Sequence, residues 1–124
     1  MARSRQEALS ALLRAAGPLR GIADELDHFP QEPGPGETLE LTRSTAAGVL
    51  ARYLIGDLTA TAVTDWARLI EPRFDVVPER AARAEVARLL YELANQSIGE
   101  PLTPAYAQKW IRRLGHEPPR SMFG

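Results

Sequence analysis

The chain has few side chains that could carry out metal or nucleophilic chemistry. Its two histidines, His28 and His116, are far apart, and neither has a second histidine four residues away. The absence of cysteine excludes disulfide scaffolds, thiolate metal sites and cysteine nucleophiles. The glycines at 34 and 36 are separated by proline and precede no phosphate-loop lysine. We therefore expect no catalytic residue, no metal site and no cofactor, and we predict that the protein is not an enzyme.

Carboxylates are concentrated in one stretch that contains six acids and neither lysine nor arginine. We call this set the acidic face; its members are Asp24, Glu25, Asp27, Glu32, Glu37 and Glu40. Crowded carboxylates can hold Ca²⁺, but the ligand spacing and pivot glycine of an EF-hand are missing. The stretch is either a solvated surface or a docking face for a basic protein, because opposite charges accelerate association.

A second cluster, of cations, follows toward the end of the chain. We call it the basic patch; its members are Lys109, Arg112, Arg113 and Arg120, offset only by Glu117. A solvated helix end explains such cations, because the helix dipole favours positive charge there. Contact with nucleic acid is the alternative, since phosphate binding needs several lysines or arginines.

The overall charge limits both interpretations. The 15 basic and 16 acidic side chains give a net charge of −1 over 124 residues, whereas general nucleic-acid and membrane-surface binders carry a basic excess. The sequence has no long uncharged run and no apolar signal segment at its start. These features predict a cytoplasmic bacterial protein that does not bind a membrane.

The elements that must position these residues are predicted to be helices. There are 19 Ala and 16 Leu but only 5 Val and 5 Ile, a balance that favours helix over strand. Apolar spacing predicts an all-α, compact bundle of five to six helices with a Pro/Gly-rich connector after the first hairpin. The predicted helices are 5–16, 18–29, 43–55, 60–71, 78–95 and 104–115.

Local signals add detail to this prediction. Thr42, Thr59 and Thr103 are predicted N-caps, because a hydroxyl can accept a bond from a free helical N–H. Gly56 is predicted to end its helix in the left-handed conformation. The segment 39–41 alternates like a strand but has no evident partner, so we expect a lone extended segment. Further expectations are a Glu79–Arg83 pair on the fifth helix and Trp66, Tyr106 and Trp110 in the core.

The division of the chain follows from these elements. A single domain, 1–124, suits this length. Within it we predict a helical hairpin at 1–29, a connector at 30–41, a main helical module at 42–115 and a flexible tail at 116–124.

Residues 43–71 have the order helix, glycine turn, helix that DNA-binding proteins also use. The second helix has only one cation, Arg68, against Asp65 and Glu71. An ordinary helical hairpin is therefore the favoured interpretation.

Two segments are Leu50 to Ala67 (LARYLIGDLTATAVTDWA) and Leu93 to Pro104 (LANQSIGEPLTP). Together with Phe29-Pro30 and Leu39 to Arg43 (LELTR), they resemble a group of small bacterial helical proteins of undefined function. The likeness covers roughly residues 19–115. Arg68 stands where that group has Asn, and Gln96 where it has Pro. A looser likeness, limited to the helix–glycine–helix hairpin, is to colicin-type immunity proteins. The shared positions are caps and core aromatics, so the resemblance implies a fold and carries over no binding residue.

These observations favour a non-enzymatic protein-interaction module. Its sharpest form is an immunity or antitoxin-type protein whose acidic face covers a basic site on a toxin domain. A nucleic-acid-binding accessory protein that uses the basic patch is the first alternative. An enzyme with an unrecognised carboxylate site is the second.

Overall fold

The chain is mostly helical, as predicted, and the computed structural model describes residues 4–29, 38–96 and 102–122. Six α-helices lie within these ranges. Their bounds are α1 (Arg5–Leu13), α2 (Leu19–Leu26), α3 (Arg43–Leu54), α4 (Ala60–Ile70), α5 (Arg83–Ala94) and α6 (Pro104–Arg113). Two short strands, β1 (Leu39–Leu41) and β2 (Val76–Pro78), complete the fold.

Hydroxyl side chains set the starts of four helices. The predicted caps Thr42, Thr59 and Thr103 each accept a bond from the backbone N–H three residues further on, at 3.0–3.2 Å. Ser4 does the same for α1, where Glu7 completes a capping box that we did not predict. Each cap satisfies an N–H that lacks a partner within its helix and contributes about 1 kcal/mol.

The prediction of a purely helical fold is wrong in one respect, because β1 has a partner strand. β1 and β2 pair in parallel, with Leu39 opposite Val76. The N–H of Leu39 donates to the Asp75 carbonyl at 2.8 Å, and the N–H of Glu79 donates to the Leu41 carbonyl at 2.9 Å. A three-residue strand shows too little alternation to indicate which distant segment it will pair with.

The start of α5 also differs from the prediction. Pro78 ends β2, a single 3₁₀ turn follows at Arg80–Ala82, and α5 begins only at Arg83. The Glu79 carboxylate binds α3 instead, accepting bonds from the backbone N–H of Arg43 at 3.1 Å and from its Nε at 2.9 Å. The expected Glu79–Arg83 pair is therefore replaced by a pair between the end of β2 and the first turn of α3.

Helix α4 occupies the centre of the molecule. It packs mainly on α5 and also contacts α1, α2 and α3, whereas α3 packs mainly on α6. The predicted core aromatics Trp66, Tyr106 and Trp110 are all buried. The first helix, predicted to reach residue 16, ends at Leu13, and Ala16 is exposed.

The N-terminal hairpin is tied to the rest of the chain through its connecting loop. The Nε1–H of Trp66 donates to the Leu13 carbonyl at 3.1 Å. Nη1 of Arg52 donates to the carbonyls of Arg14 and Ala15, both at 2.9 Å. Ala15 adopts a left-handed φ of 51°. These contacts satisfy carbonyl groups that the short α1 leaves without helical partners.

The segment after α6 returns to the end of α3. Gly56 has the predicted left-handed conformation, with φ 82°. The N–H of Met122 donates to the Leu54 carbonyl at 2.9 Å, and its thioether fills the space where a Cβ on Gly56 would stand. This end of the chain, assigned to a tail from the sequence, therefore has a docking position at the α3–α4 turn.

Candidate functional site

A cavity of about 540 Å³ opens between the end of α2 and the loop that joins α4 to β2. Its volume lies in the range of small-molecule sites. Its lining combines aromatic, aliphatic and charged side chains: Leu26, Asp27, Phe29, Leu69, Pro72, Arg73, Phe74 and Asp75.

Arg73 and Asp75 line the floor of the cavity and form an ion triad with Arg5, which lies behind the lining residues. Nε and Nη2 of Arg73 donate to the two Asp75 carboxylate oxygens at 2.7 and 2.8 Å. Nη2 of Arg5, from α1, donates to Asp75 Oδ2 at 2.7 Å. The side chains of Arg5 and Asp75 are only 7% and 2% exposed, and that of Arg73 is 21% exposed. Two guanidinium groups share one carboxylate, so the triad carries one net positive charge.

The electrostatics of the triad keep Asp75 ionised. Burial by itself raises the pKa of Asp75, but the hydrogen bonds and charge of Arg73, together with the charge of Arg5, hold that pKa below its ordinary value. A carboxylate with a lowered pKa is a weak proton acceptor. Asp75 is therefore suited to holding two guanidiniums in place and poorly suited to general acid–base catalysis.

The rim of the cavity is aromatic and acidic. Phe74 is 85% exposed, although the fold buries most of its large apolar side chains. Phe29 is half-buried, and Asp27 is exposed at the end of α2. Phenylalanine is enriched at protein–protein interfaces, so an exposed ring beside a cavity is a candidate contact residue.

The structure divides the acidic face between two places. Asp27 is at the cavity, whereas Asp24 lines a separate groove between α2 and α4 together with Arg20, Asp65 and Arg68. Glu25 on α2 is half-buried and Glu40 on β1 is exposed; Glu32 and Glu37 lie outside the described residues. Cations therefore lie close to Asp24, which the sequence spacing did not show.

The basic patch lies on the last turns of α6 and the segment that follows. Lys109, Arg112, Arg113 and Arg120 are all exposed. The guanidinium of Arg113 lies over the Trp110 ring, 4.2 Å from its centroid. This cation–π contact fixes one of the four cations against the core.

A polar network beside the patch joins α5 to α6. Glu92 accepts bonds from Arg88 Nε at 2.8 Å and from the Tyr106 hydroxyl at 2.9 Å. Burial raises the pKa of Glu92, but these two bonds and the charges of Arg88 and Arg113 bring it below its ordinary value. Glu92 therefore acts as a contact between α5 and α6.

The position of α4 argues against a DNA-reading hairpin. One face of this helix is buried against its neighbours through five side chains: Val63, Thr64, Trp66, Ala67 and Ile70. Its exposed residues include Thr61, Asp65 and Arg68. A recognition helix must project into the major groove with cations near phosphates, and a central helix with one exposed cation does not meet that requirement.

Other kinds of site find little support in the described ranges. Residues 4–29, 38–96 and 102–122 contain no group of three or more His, Asp or Glu side chains placed to hold a metal ion. In the same ranges, no helix has both the length and the apolar content needed to cross a bilayer. A surface without a pocket of ligand size would have counted against an enzyme, but the cavity described above has that size.

Sequence reasoning missed the residues that build the cavity. Arg5 and Asp75 are 70 positions apart, and nothing in the sequence links them. One signal was present: Asp75 is flanked by Phe74 and Val76, and an acid in an apolar bridge often has a buried partner.

Comparison of this chain with protein-family models, curated proteins and solved structures finds no match. The resemblances drawn from the Leu50–Ala67 and Leu93–Pro104 segments therefore stay predictions. The proposals below depend on the geometry of the chain itself.

Proposed function

We propose that this protein is a non-enzymatic protein-interaction module that docks its partner at the rim of the cavity. The observation that carries this proposal is the 85% exposure of Phe74 beside Asp27 and Phe29. Aromatic anchors surrounded by polar groups dominate the energy of many protein interfaces. The pairing of Asp75 with two arginines supports a role in binding more than one in catalysis.

The partner that fits this rim is a basic protein surface with an apolar contact at its centre. Asp27 supplies negative charge at the cavity, and Glu40 is exposed on the adjoining strand β1. Such charges steer an oppositely charged partner and raise its association rate. In its sharpest form, the proposal is an immunity or antitoxin-type protein that covers a basic toxin domain.

Substitution of the exposed ring tests the docking site. Phe74→Ala removes an anchor with few internal contacts, so we expect the protein to stay folded and partner affinity to fall at least about tenfold. Tyr91→Ala is the matched control, because Tyr91 is also an exposed aromatic (57%) but lies on α5 outside the cavity.

The wild-type chain and the two variants are each used to capture partners from a bacterial lysate. Calorimetry then measures the affinity of each chain for the purified partner. A partner lost with Phe74→Ala and kept with Tyr91→Ala supports the proposal. If every captured protein binds the two variants equally, the docking site is not at Phe74.

Charge reversal tests the chemistry of the partner. Asp24→Lys, Asp27→Lys and Glu37→Lys together should lower the association rate about tenfold at low salt and weaken its salt dependence. Glu117→Lys, which reverses an exposed acid near the basic patch, is the control. Stopped-flow association over a salt series measures both effects. An unchanged rate and salt slope would contradict a basic partner.

Nucleic-acid binding is the second candidate, favoured by the exposure of the four basic-patch cations. Arg112→Glu with Lys109→Glu should then abolish a low-salt shift of a labelled DNA or RNA duplex, because phosphate contacts supply most of such affinity. A wild-type chain that shifts no probe at low salt would remove this candidate.

A further inference from the structure

Charged side chains of both signs line the cavity. At its floor, Arg73 and Asp75 form a hydrogen-bonded ion pair whose side chains are 21% and 2% exposed. Asp27 is exposed at the rim and forms no salt bridge with another residue of the described part of the chain.

Arg73 retains donors with which it could bind such a ligand. A guanidinium has five N–H groups, and the bonds to Asp75 engage Nε and Nη2. Nη1 makes no hydrogen bond with other described residues, and the Arg73 side chain is one of those that line the cavity. A carboxylate is the group that arginine donors bind most strongly and with the best geometric match.

The walls are suited to an apolar group. Leu26, Leu69 and Pro72 provide aliphatic surface, and the rings of Phe29 and Phe74 provide aromatic surface. Aromatic pairs gain energy beyond the area that they bury. An apolar side chain on the ligand would therefore lie between these walls while its charged groups meet the floor and the rim.

We propose that the cavity binds a free α-amino acid with an aromatic or branched apolar side chain. Its carboxylate bonds to Arg73, and its ammonium group faces Asp27. A simple cation would leave the remaining Arg73 donors without a partner, and a simple anion would be repelled by Asp27. An uncharged apolar ligand would leave the Arg73 donors buried without a partner. The proposal goes beyond the proposed docking function and does not depend on it.

Three matched ligands test the charge pattern on the full chain. Calorimetry and amide chemical-shift mapping with L-phenylalanine should give saturable binding that moves signals of residues around the cavity. L-phenylalaninamide, which lacks the carboxylate, and N-acetyl-L-phenylalanine, which lacks the ammonium, should each bind about tenfold more weakly. Absence of saturable binding of L-phenylalanine at millimolar concentration would overturn the proposal, as would equal binding of the amide.

Two variants outside the triad locate the site without endangering the fold. Asp27→Asn should weaken binding of L-phenylalanine but not that of N-acetyl-L-phenylalanine, because only the first carries the ammonium group and the second is an anion that Asp27 repels. Phe74→Ala should weaken all three ligands, and Tyr91→Ala none. If Asp27→Asn affects the two ligands equally, or if Tyr91→Ala weakens binding as much as Phe74→Ala does, the ligand does not bind in this cavity.

Discussion

Asp75 has the most consequential side-chain contacts described in this structure, because it holds two arginines from different parts of the chain. Its carboxylate neutralises part of the charge of Arg5, which is buried on α1. A buried charge that loses its partner is costly, whereas an exposed pair contributes little. Asp75 therefore joins the N-terminal hairpin to the loop before β2.

Asp75→Asn should lower the free energy of unfolding by about 3 kcal/mol, since the buried guanidinium of Arg5 and the partly buried one of Arg73 would both lose this carboxylate. The control is Asp57→Asn, which breaks the ion pair between Asp57 and Arg52. Because the Asp57 side chain is 58% exposed, this substitution should lower the free energy of unfolding by less than about 1 kcal/mol. Urea denaturation of both variants measures the difference. Similar losses in the two variants would mean that the triad is not a stabilising link.

At the scale of elements, the sequence predicted what local signals control. The threonine caps and the Gly56 turn each depend on neighbours within one helical turn, and the structure confirms them. The β1–β2 pair and the Glu79–Arg43 contact connect segments far apart in sequence. No local pattern contains that information, which is why the start of α5 and the existence of a sheet were missed.

The cavity was missed for the same reason. At its floor, Asp75 is bonded to Arg5, which lies 70 positions away in the sequence. At its rim, Phe74 is exposed although it is a large apolar residue. Of the candidate site residues that the structure describes, Asp27 alone lines it. The sequence therefore located one end of the candidate site and left the rest to the tertiary fold.

Two glycine substitutions distinguish turn geometry from helix propensity. Gly56→Ala should destabilise the fold by at least about 1–2 kcal/mol, because Gly56 has a left-handed φ of 82° and a Cβ there overlaps the Met122 thioether. Gly48→Ala, in α3 with nothing within 4 Å of the added Cβ, should instead stabilise it by about 0.5–1 kcal/mol. Thermal and urea unfolding compare the two, and a destabilised Gly48→Ala chain or an unaffected Gly56→Ala chain would contradict this account.

At the scale of the whole molecule, three carboxyl groups link stability to pH. Asp75, Glu79 and Glu92 all have pKa values lowered by arginine partners. The folded chain therefore binds fewer protons than the unfolded chain, so these groups stabilise the fold above the ordinary carboxyl pKa values of 3.8 and 4.5.

The free energy of unfolding should accordingly fall as the pH drops through 4.5 and continue to fall below 3.8. Urea denaturation at a series of pH values from neutral to acid measures this slope. The Asp75→Asn chain should show a shallower fall, because it lacks one of the titrating groups. A stability that stays constant through this range would show that the three ion pairs do not favour the folded state.

The near-neutral net charge of the chain conceals this arrangement of charges. The exposed cations of the basic patch lie on and after α6, while the cavity is lined by Arg73, Asp75 and Asp27. Net charge therefore predicts weak bulk attraction to nucleic acid, whereas the proposed partner and ligand would meet these local charges.

The parallel pairing of β1 with β2 has a consequence for how the molecule folds. Helices α3 and α4 lie between the two strands in the sequence, so pairing of the strands closes a loop that contains both helices. The Arg5–Asp75 bond closes a still longer loop. Closing long loops costs chain entropy before any contact compensates for it, so such high-contact-order links form late. The helix pairs should therefore assemble first, and the sheet and the triad should form after the transition state. Removing either of them should mainly raise the unfolding rate and change the folding rate little.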